Sequence, residues 1–409
     1  LVMLYMHNLV LKKIESKQEE KPKMVYLEPV WKEDCASTSN EVFQLKKNEA
    51  ILLFGNEKLL CENIKYRLEN PNQNPIVMIS YGEKYKKMEN NQYEINPCNQ
   101  SDYERIFKEL EEQGGMPSKI IISTYKNDTT ENRIQYSFGT IVALGNALLN
   151  DNYKGTVDLL YRIEQNEEEA ALSGMFKGIR KEVERFHFKT VLVEKGLSDK
   201  IVTDALLYEF DKNIDQEVWI TSKSRMVRVF KEITIPEERK VQLAKPGGVY
   251  LITGGLGEIG QTFARYLSKS KDVHIILSGR RQADEKVREI LKEIGRNDSD
   301  VKYIQSNIAN ENECNHLING IKEQYGKIDG VIHAAGILKD ALLWRKSLED
   351  AKAVMAPKIY GTKYLDYAIG NDELDYMIFC SSLASSIGNI GQCDYCYANG
   401  FMDYFAQKR

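Results

Sequence analysis

The chain has 409 residues, of which 42% are hydrophobic and 28% charged, a composition that suits a globular protein of roughly two or three domains. Its 56 basic and 60 acidic residues leave a net charge of −4, which makes no electrostatic case for nucleic acid or an anionic membrane. The expected partner is a small molecule or another protein. The 7 cysteines are an odd number without the dense spacing of a secreted disulfide framework, so a reducing, cytoplasmic setting is expected.

The apolar opening Leu1 to Leu11 is interrupted by His7 and Asn8 and is much shorter than the roughly 20 residues that span a bilayer. Residues 12–23 are too rich in lysine and glutamate to pack, so residues 1–23 are expected to form a linker and order to begin near Met24. The first residue is Leu, and Tyr404 to Arg409 carries no helix stop signal, so a segment of something larger is expected.

Apolar runs at Ile51 to Phe54, Ile76 to Ile79, Lys119 to Ser123, Thr190 to Val193 and Val218 to Ile220 alternate with helix-like segments. That rhythm predicts an α/β fold with a mainly parallel sheet. The first run leads into Gly55-Asn56-Glu57-Lys58, with a single glycine where a phosphate-binding turn needs several, so this half is expected to be Rossmann-like without a cofactor motif. A proline-marked boundary at Ile235-Pro236-Glu237-Glu238-Arg239 separates a first subdomain, 24–240, from a second, 241–409. The second repeats the pattern with strands expected at Val249 to Thr253, Val273 to Ser278, Val301 to Gln305, Gly330 to His333 and Tyr376 to Ser381.

The strand ending at Thr253 runs into Gly254-Gly255-Leu256-Gly257-Glu258-Ile259-Gly260 and then a helical segment, Gln261 to Lys269. Gly255, Gly257 and Gly260 form GxGxxG between a strand and a helix, where glycines let the backbone approach a pyrophosphate at the helix N-terminus. About twenty residues on, an acid marks NAD, whereas an arginine accommodates a 2′-phosphate. Arg280 stands there, followed by Arg281, so NADPH is favoured over the plainer alternative of a solvated charge pair.

Tyr376 to Ser382 predicts a buried strand ending in Ser381-Ser382, then a loop with Gly388 and Gly391, then a helix on which Tyr395 and Asn399 share a face. Ketone reduction needs a hydride from a nicotinamide and a hydrogen-bond donor and proton for the developing alkoxide. A tyrosine with a pKa of about 10 is a poor acid near neutrality unless a cation stabilises its phenolate. The common YxxxK pair would supply that cation, but residue 399 is asparagine.

Lys358, Ser382, Tyr395 and Asn399 follow one another at intervals of 24, 13 and 4 residues. In this the chain resembles the ketoreductase domains of modular polyketide synthases, short-chain dehydrogenases in which lysine and asparagine exchange places. His333-Ala334-Ala335-Gly336 and Tyr26 to Trp31 extend the resemblance over nearly the whole chain from Met24. It implies two Rossmann-like, doubly wound parallel-sheet subdomains, the first supporting and the second a short-chain dehydrogenase fold. It implies that Tyr395 is the general acid, that Ser382 hydrogen-bonds the substrate carbonyl, that Lys358 lowers the tyrosine pKa and holds the ribose, and that Asn399 orders the proton relay. NADPH would lie along Thr253, Gly255, Leu256, Gly257, Ile259, Gly260, Ser278, Arg280, Asn307, Ile308, Ala334, Ala335 and Gly336. The implied substrate is a β-ketoacyl thioester on an acyl carrier protein, with neighbouring synthase domains as further partners.

Departures from the family pattern are Glu258 in place of a glycine, Asn307 in place of an aspartate, and Lys339 within the Leu338-Lys339-Asp340 stereochemical marker, which keeps Asp340. Ile387 replaces the tryptophan of the opposite stereochemical class, and the resemblance implies two further strands and a lid past the tyrosine helix. The competing readings are a non-catalytic cofactor-binding or docking scaffold and an epimerase or dehydratase of the extended family, against which Asn399 speaks. Cys393 and Cys396 form a lone CxxC, expected to be two helix cysteines with no metal. His333 is expected to be structural, Lys346, Lys352 and Lys363 to be solvated charges, and Tyr360, Tyr364 and Tyr367 to be packing residues.

Overall fold

The computed structural model describes residues 25–34, 43, 45–46, 48–55, 58–67, 75–89, 91–123, 129–150, 154–163, 166–212, 215–234, 243–295 and 298–409. The expected linker 1–23, its end at Met24, the boundary at 235–239, and Asn56 and Glu57 of the first turn lie outside the described residues. Two compact units are present. The first comprises residues up to 235 together with 340–346 and 383–400; the second comprises 236–339, 347–382 and 401–409.

The strands of the first unit are β1 Tyr26–Asp34, β2 Glu49–Phe54, β3 Ile76–Tyr81, β4 Lys86–Lys87, β5 Gln92–Ile95, β6 Met116–Ser123, β7 Val157–Ile163, β8 Phe186–Val193, β9 Glu217–Ile220 and β10 Arg225–Ile233. They form a 10-stranded sheet in the order β1-β10-β9-β8-β7-β6-β2-β3-β5-β4. From β5 to β9 every neighbouring pair is parallel, whereas β4, β10 and β1 add antiparallel edges. Both faces of a parallel sheet are covered, so its central strands read as continuous apolar runs. Ala50 to Phe54 and Ile120 to Ile122 are accordingly buried at every position.

This unit also buries charge. Glu209 receives Lys189 Nζ at 2.6 Å and Arg225 Nε at 2.5 Å, and the Arg225 guanidinium continues to Asp215 and Asp34. Burial pushes the Lys189 ammonium below its ordinary pKa, against the opposing pull of Glu209.

The second unit holds β11 Val249–Thr253, β12 His274–Gly279, β13 Asp300–Gln305, β14 Gly330–His333 and β15 Tyr376–Phe379, all parallel in the order β13-β12-β11-β14-β15. The first strand therefore lies at the switch point of the doubly wound order, where ligands bind beyond the strand carboxyl ends. Side chains alternate along β11: Val249 and Leu251 enter one core with Ile276 and Val331, and Tyr250 and Ile252 enter the other with Ile275 and Ile332. The expected two Rossmann-like subdomains are thus both present.

Removing Glu209 would leave two buried cations facing each other. Glu209→Ala is expected to lower the unfolding free energy of the first unit by about 3–5 kcal/mol, read as a fall in the urea midpoint; an unchanged midpoint would mean that these charges are solvated.

Candidate active site

The turn after β11 depends on glycine. Gly254 has φ +67°, and a Cβ there would come within 2.7 Å of the Ala334 backbone. A Cβ on Gly255 would meet Leu277 Cβ at 2.7 Å, and one on Gly260 would meet the Gly254 carbonyl oxygen at 2.6 Å. The helix Glu258–Leu267 starts at Gly257, whose backbone is extended and offers no side-chain cap, so its first N–H groups are available to an anion. Thr253 is buried, Leu256 half-buried, and Glu258 and Ile259 face solvent.

At the neighbouring strand end the Ser278 hydroxyl is buried without a partner among the described residues. Arg280 is exposed with no ion-pair partner among them, whereas Arg281 is bound to Asp284, the cap of the next helix. Asn307 Oδ1 accepts the Ala309 N–H at 3.3 Å, closing a local turn, and Ile308 is buried in the core of the second unit. An uncapped helix start, a glycine cradle, a spare hydroxyl and an unengaged guanidinium fit a nicotinamide dinucleotide.

Past β14, the chain turns through Ala334, Ala335 and Gly336. Buried His333 receives the Thr253 hydroxyl on Nδ1 at 2.6 Å and donates from Nε2 to the Pro357 carbonyl at 2.9 Å. This pattern requires a neutral ring, and burial, helped by Lys358, lowers its pKa to about 3. His333 is therefore structural, as expected from the sequence.

Pro357 precedes Lys358 inside the helix Leu348–Ile369. Lys358 is buried, and its Nζ donates to the Cys380 carbonyl at 3.0 Å. Desolvation brings its pKa down to about 8, against opposing pulls from Cys380 and Asp403. Gly336 runs beside it, since a Cβ there would meet Lys358 Cε at 3.0 Å.

The strand expected to be buried through Ser382 ends earlier, at Phe379, and its four residues are only half-buried. Ser382 lies half-buried immediately before a short helix, Leu383–Ile387, where a loop was expected. Tyr395 and Asn399 stand on the helix Cys393–Lys408, Tyr395 half-buried and Asn399 buried, with Asn399 Nδ2 donating to the Tyr395 carbonyl at 2.7 Å. Lys358 and Ser382 belong to the second unit, Tyr395 and Asn399 to the first. Asp340, also in the first unit, is exposed and receives Gln392 Nε2 at 3.0 Å.

Two further expectations are corrected. Lys346 is not a solvated charge: it is buried and paired with Asp394 at 3.0 Å, because the main chain brings a carboxylate 48 residues away against it. Tyr367 is 74% exposed and does not pack, although Tyr360 and Tyr364 stack on the same helix. Cys393 and Cys396 are buried free thiols, and burial raises both. Sequence reading also missed Gly254, whose positive φ and close approach to Ala334 make it part of the turn. The doubled glycine ahead of the motif was the available signal.

The sheet order and the glycine turn define a short-chain-dehydrogenase-type Rossmann unit accompanied by a second Rossmann-like unit. The family model for the KR domain matches residues 248–409, and one described as beta-ketoacyl synthase-like, N-terminal, matches 49–209. Polyketide synthase PksM of Bacillus subtilis is 27% identical over 403 residues, covering 97% of this chain and 9% of that protein. Polyketide synthase PksN of the same organism is 35% identical over 241 residues, covering 59% of this chain and 4% of that protein. An N-terminal ketoreductase from the macrolactin assembly line superposes with a TM-score of 0.85 at 26% identity, covering 94% of this chain and 80% of that one. Residues 248–409 are thus similar to the ketoreductase domains of polyketide synthases, and the chain spans only a small part of the length of PksM and PksN. Among the described residues, no helix is long and apolar enough to cross a membrane.

Because the Gly254 oxygen occupies the space a Cβ would need, Gly260→Ala is expected to abolish binding of the nicotinamide cofactor while the chain stays folded. Fluorescence titration of the reduced cofactor checks this; binding at wild-type affinity would refute the cradle.

Proposed function

We propose that this chain reduces a β-ketoacyl thioester, carried on an acyl carrier protein, to the β-hydroxyacyl thioester with NADPH. The observation that carries this reading is the 24, 13 and 4 spacing of Lys358, Ser382, Tyr395 and Asn399 within a KR-family segment. When bound, NADPH supplies a hydride to the ketone carbon. Thr253, Gly255, Leu256, Gly257, Ile259, Gly260 and Ser278 hold its pyrophosphate side, Arg280 its 2′-phosphate, Asn307 and Ile308 its adenine side, and Ala334, Ala335 and Gly336 its nicotinamide side. The unengaged Arg280, beside an Arg281 already committed to Asp284, supports the phosphorylated cofactor.

Ser382 donates a hydrogen bond to the ketone oxygen, and Tyr395 gives that oxygen its proton as charge develops. Lys358 stabilises the phenolate left on Tyr395, and Asn399 orders the proton supply. A buried lysine suits the task, because a cation in a low-dielectric setting acts more strongly on another charge than one in water does. Asp340 supports the product configuration associated with that aspartate in the family. Neighbouring synthase domains and a cytoplasmic setting complete the reading.

Arg280→Ala is expected to raise the KM for NADPH about tenfold or more and leave that for NADH nearly unchanged, measured by cofactor oxidation; equal effects on both would remove Arg280 from 2′-phosphate recognition. Tyr395→Phe is expected to lower kcat by about 10²–10⁴ with NADPH still bound, and wild-type turnover in that variant would refute the mechanism. In the wild-type chain Lys358 loses its proton as pH rises through about 8, so the same assay should show kcat falling above that pH. A kcat that keeps rising beyond pH 9 would contradict a charged Lys358.

A further inference from the structure

We infer that Glu182, in the half of the chain to which the sequence assigns no chemistry, is a positioning residue that fixes the two segments ending at Asp340 and Tyr395. The inference rests on the reductase reading, since Tyr395 matters only if that reading holds. Glu182 closes the helix Leu172–Glu182, on which Gly174, Gly178 and Glu182 recur at intervals of four and share one face. Gly174 leaves no room for a side chain, whereas a Cβ on Gly178 would sit at ordinary contact distance. A Cβ on Gly174 would come within 2.5 Å of the Cys396 carbonyl oxygen, and one on Gly178 within 3.4 Å of the Asn389 oxygen. On the next turn of that face the carboxylate is divided between two backbone donors. Oε2 accepts the Leu343 N–H at 2.7 Å, and Oε1 accepts the Gly391 N–H at 2.9 Å.

Those two N–H groups belong to segments that are joined to each other as well. Ala341 N–H and Lys346 Nζ both donate to the Gly391 carbonyl, at 2.9 and 3.2 Å. Lys346, with its side chain wholly buried, donates to Asp394 Oδ1 at 3.0 Å, and the same oxygen accepts the Tyr395 N–H at 2.9 Å. Gly391 can take this place because its φ is +76°. Half-buried Glu182 and the buried Lys346 and Asp394 thus bring two carboxylates and one ammonium to this region, and these hydrogen bonds end on segments flanking Asp340 or Tyr395. Burial raises the pKa of both carboxylates, as expected where one lysine serves two acids. An apolar side chain in its place would leave the Leu343 and Gly391 N–H groups without this acceptor. A carboxylate with two acceptors can instead hold two backbone segments in one register.

Glu182→Ala and Glu182→Gln test this by amide hydrogen exchange, NADPH titration and reduction of a β-ketoacyl thioester. In Glu182→Ala, exchange should accelerate at Leu343 and Gly391 and not in 249–260. Its kcat should fall about tenfold or more, NADPH affinity should stay at the wild-type value, and the ratio of product stereoisomers should shift. Glu182→Gln keeps one acceptor and should recover part of kcat. Wild-type kcat and product ratio in Glu182→Ala overturn the inference, as does loss of NADPH binding in step with kcat. If Glu182→Ala does not fold, Glu182→Gln decides, because unaltered exchange and kcat there also overturn it. A wild-type chain that binds NADPH without oxidising it would sink the reductase reading instead, and that result is separable from the exchange data.

Discussion

A lysine ammonium taken out of water must be given partners or lose its proton, and in the second unit that constraint falls on Lys358. Its side chain is buried, its Nζ donates to the Cys380 carbonyl, and its pKa drops to about 8, close to where a lysine can carry or release charge under ordinary conditions. The surroundings are built to hold it there. Neutral His333 ties the preceding carbonyl, that of Pro357, to the Thr253 hydroxyl at the end of the central strand, so the helix bearing Lys358 is fastened to the sheet beside the glycine turn. Small residues follow from the same constraint. Gly336 lies against Lys358, and a Cβ on Gly361 would meet Ile308 at 3.0 Å and the His333 ring at 3.3 Å.

The two units show how one sheet plan serves two ends. In both, the first parallel strand lies centrally, between the strand that follows it and a later one, which creates a switch point. The second unit follows that strand with Gly254, Gly255, Gly257 and Gly260, which let backbone approach a pyrophosphate, where the first has the sequence Gly55-Asn56-Glu57-Lys58. The first unit uses glycine elsewhere, at Gly174 and Gly178, to bring a helix against the chain around Cys396. It also carries buried charge around Glu209 and, beside the segment that bears Tyr395, around Glu182.

Much of this was legible in the sequence where burial is two-sided. Val249–Thr253 and Gly330–His333 are apolar up to a final polar residue, and the structure places strands at those same residues. Strand β7 was missed because Asp158 and Arg162 break its apolar pattern; Asp158 is buried against Lys119 and His187, partners remote in sequence. The antiparallel pair β1 and β10 is half-exposed and rich in charge, so it carries little hydrophobic signal. Lys346 was misread for the same reason as β7: a buried charge is recognisable only through a partner that the fold brings to it. The candidate site rests on a different signal, residue types at fixed intervals, which does not depend on periodicity. Tyr367 marks the limit of periodicity, sharing helical spacing with Tyr360 and Tyr364 yet facing solvent.

The most direct test follows the hydride. The wild-type chain would be incubated with a β-ketoacyl thioester and NADPH deuterated at the transferable C4 position, and the product examined by mass spectrometry and NMR. The account predicts one deuterium on the carbon that bore the ketone, in a single configuration. Tight NADPH binding with no deuterium transferred to any β-ketoacyl thioester would contradict it and leave a cofactor-binding scaffold.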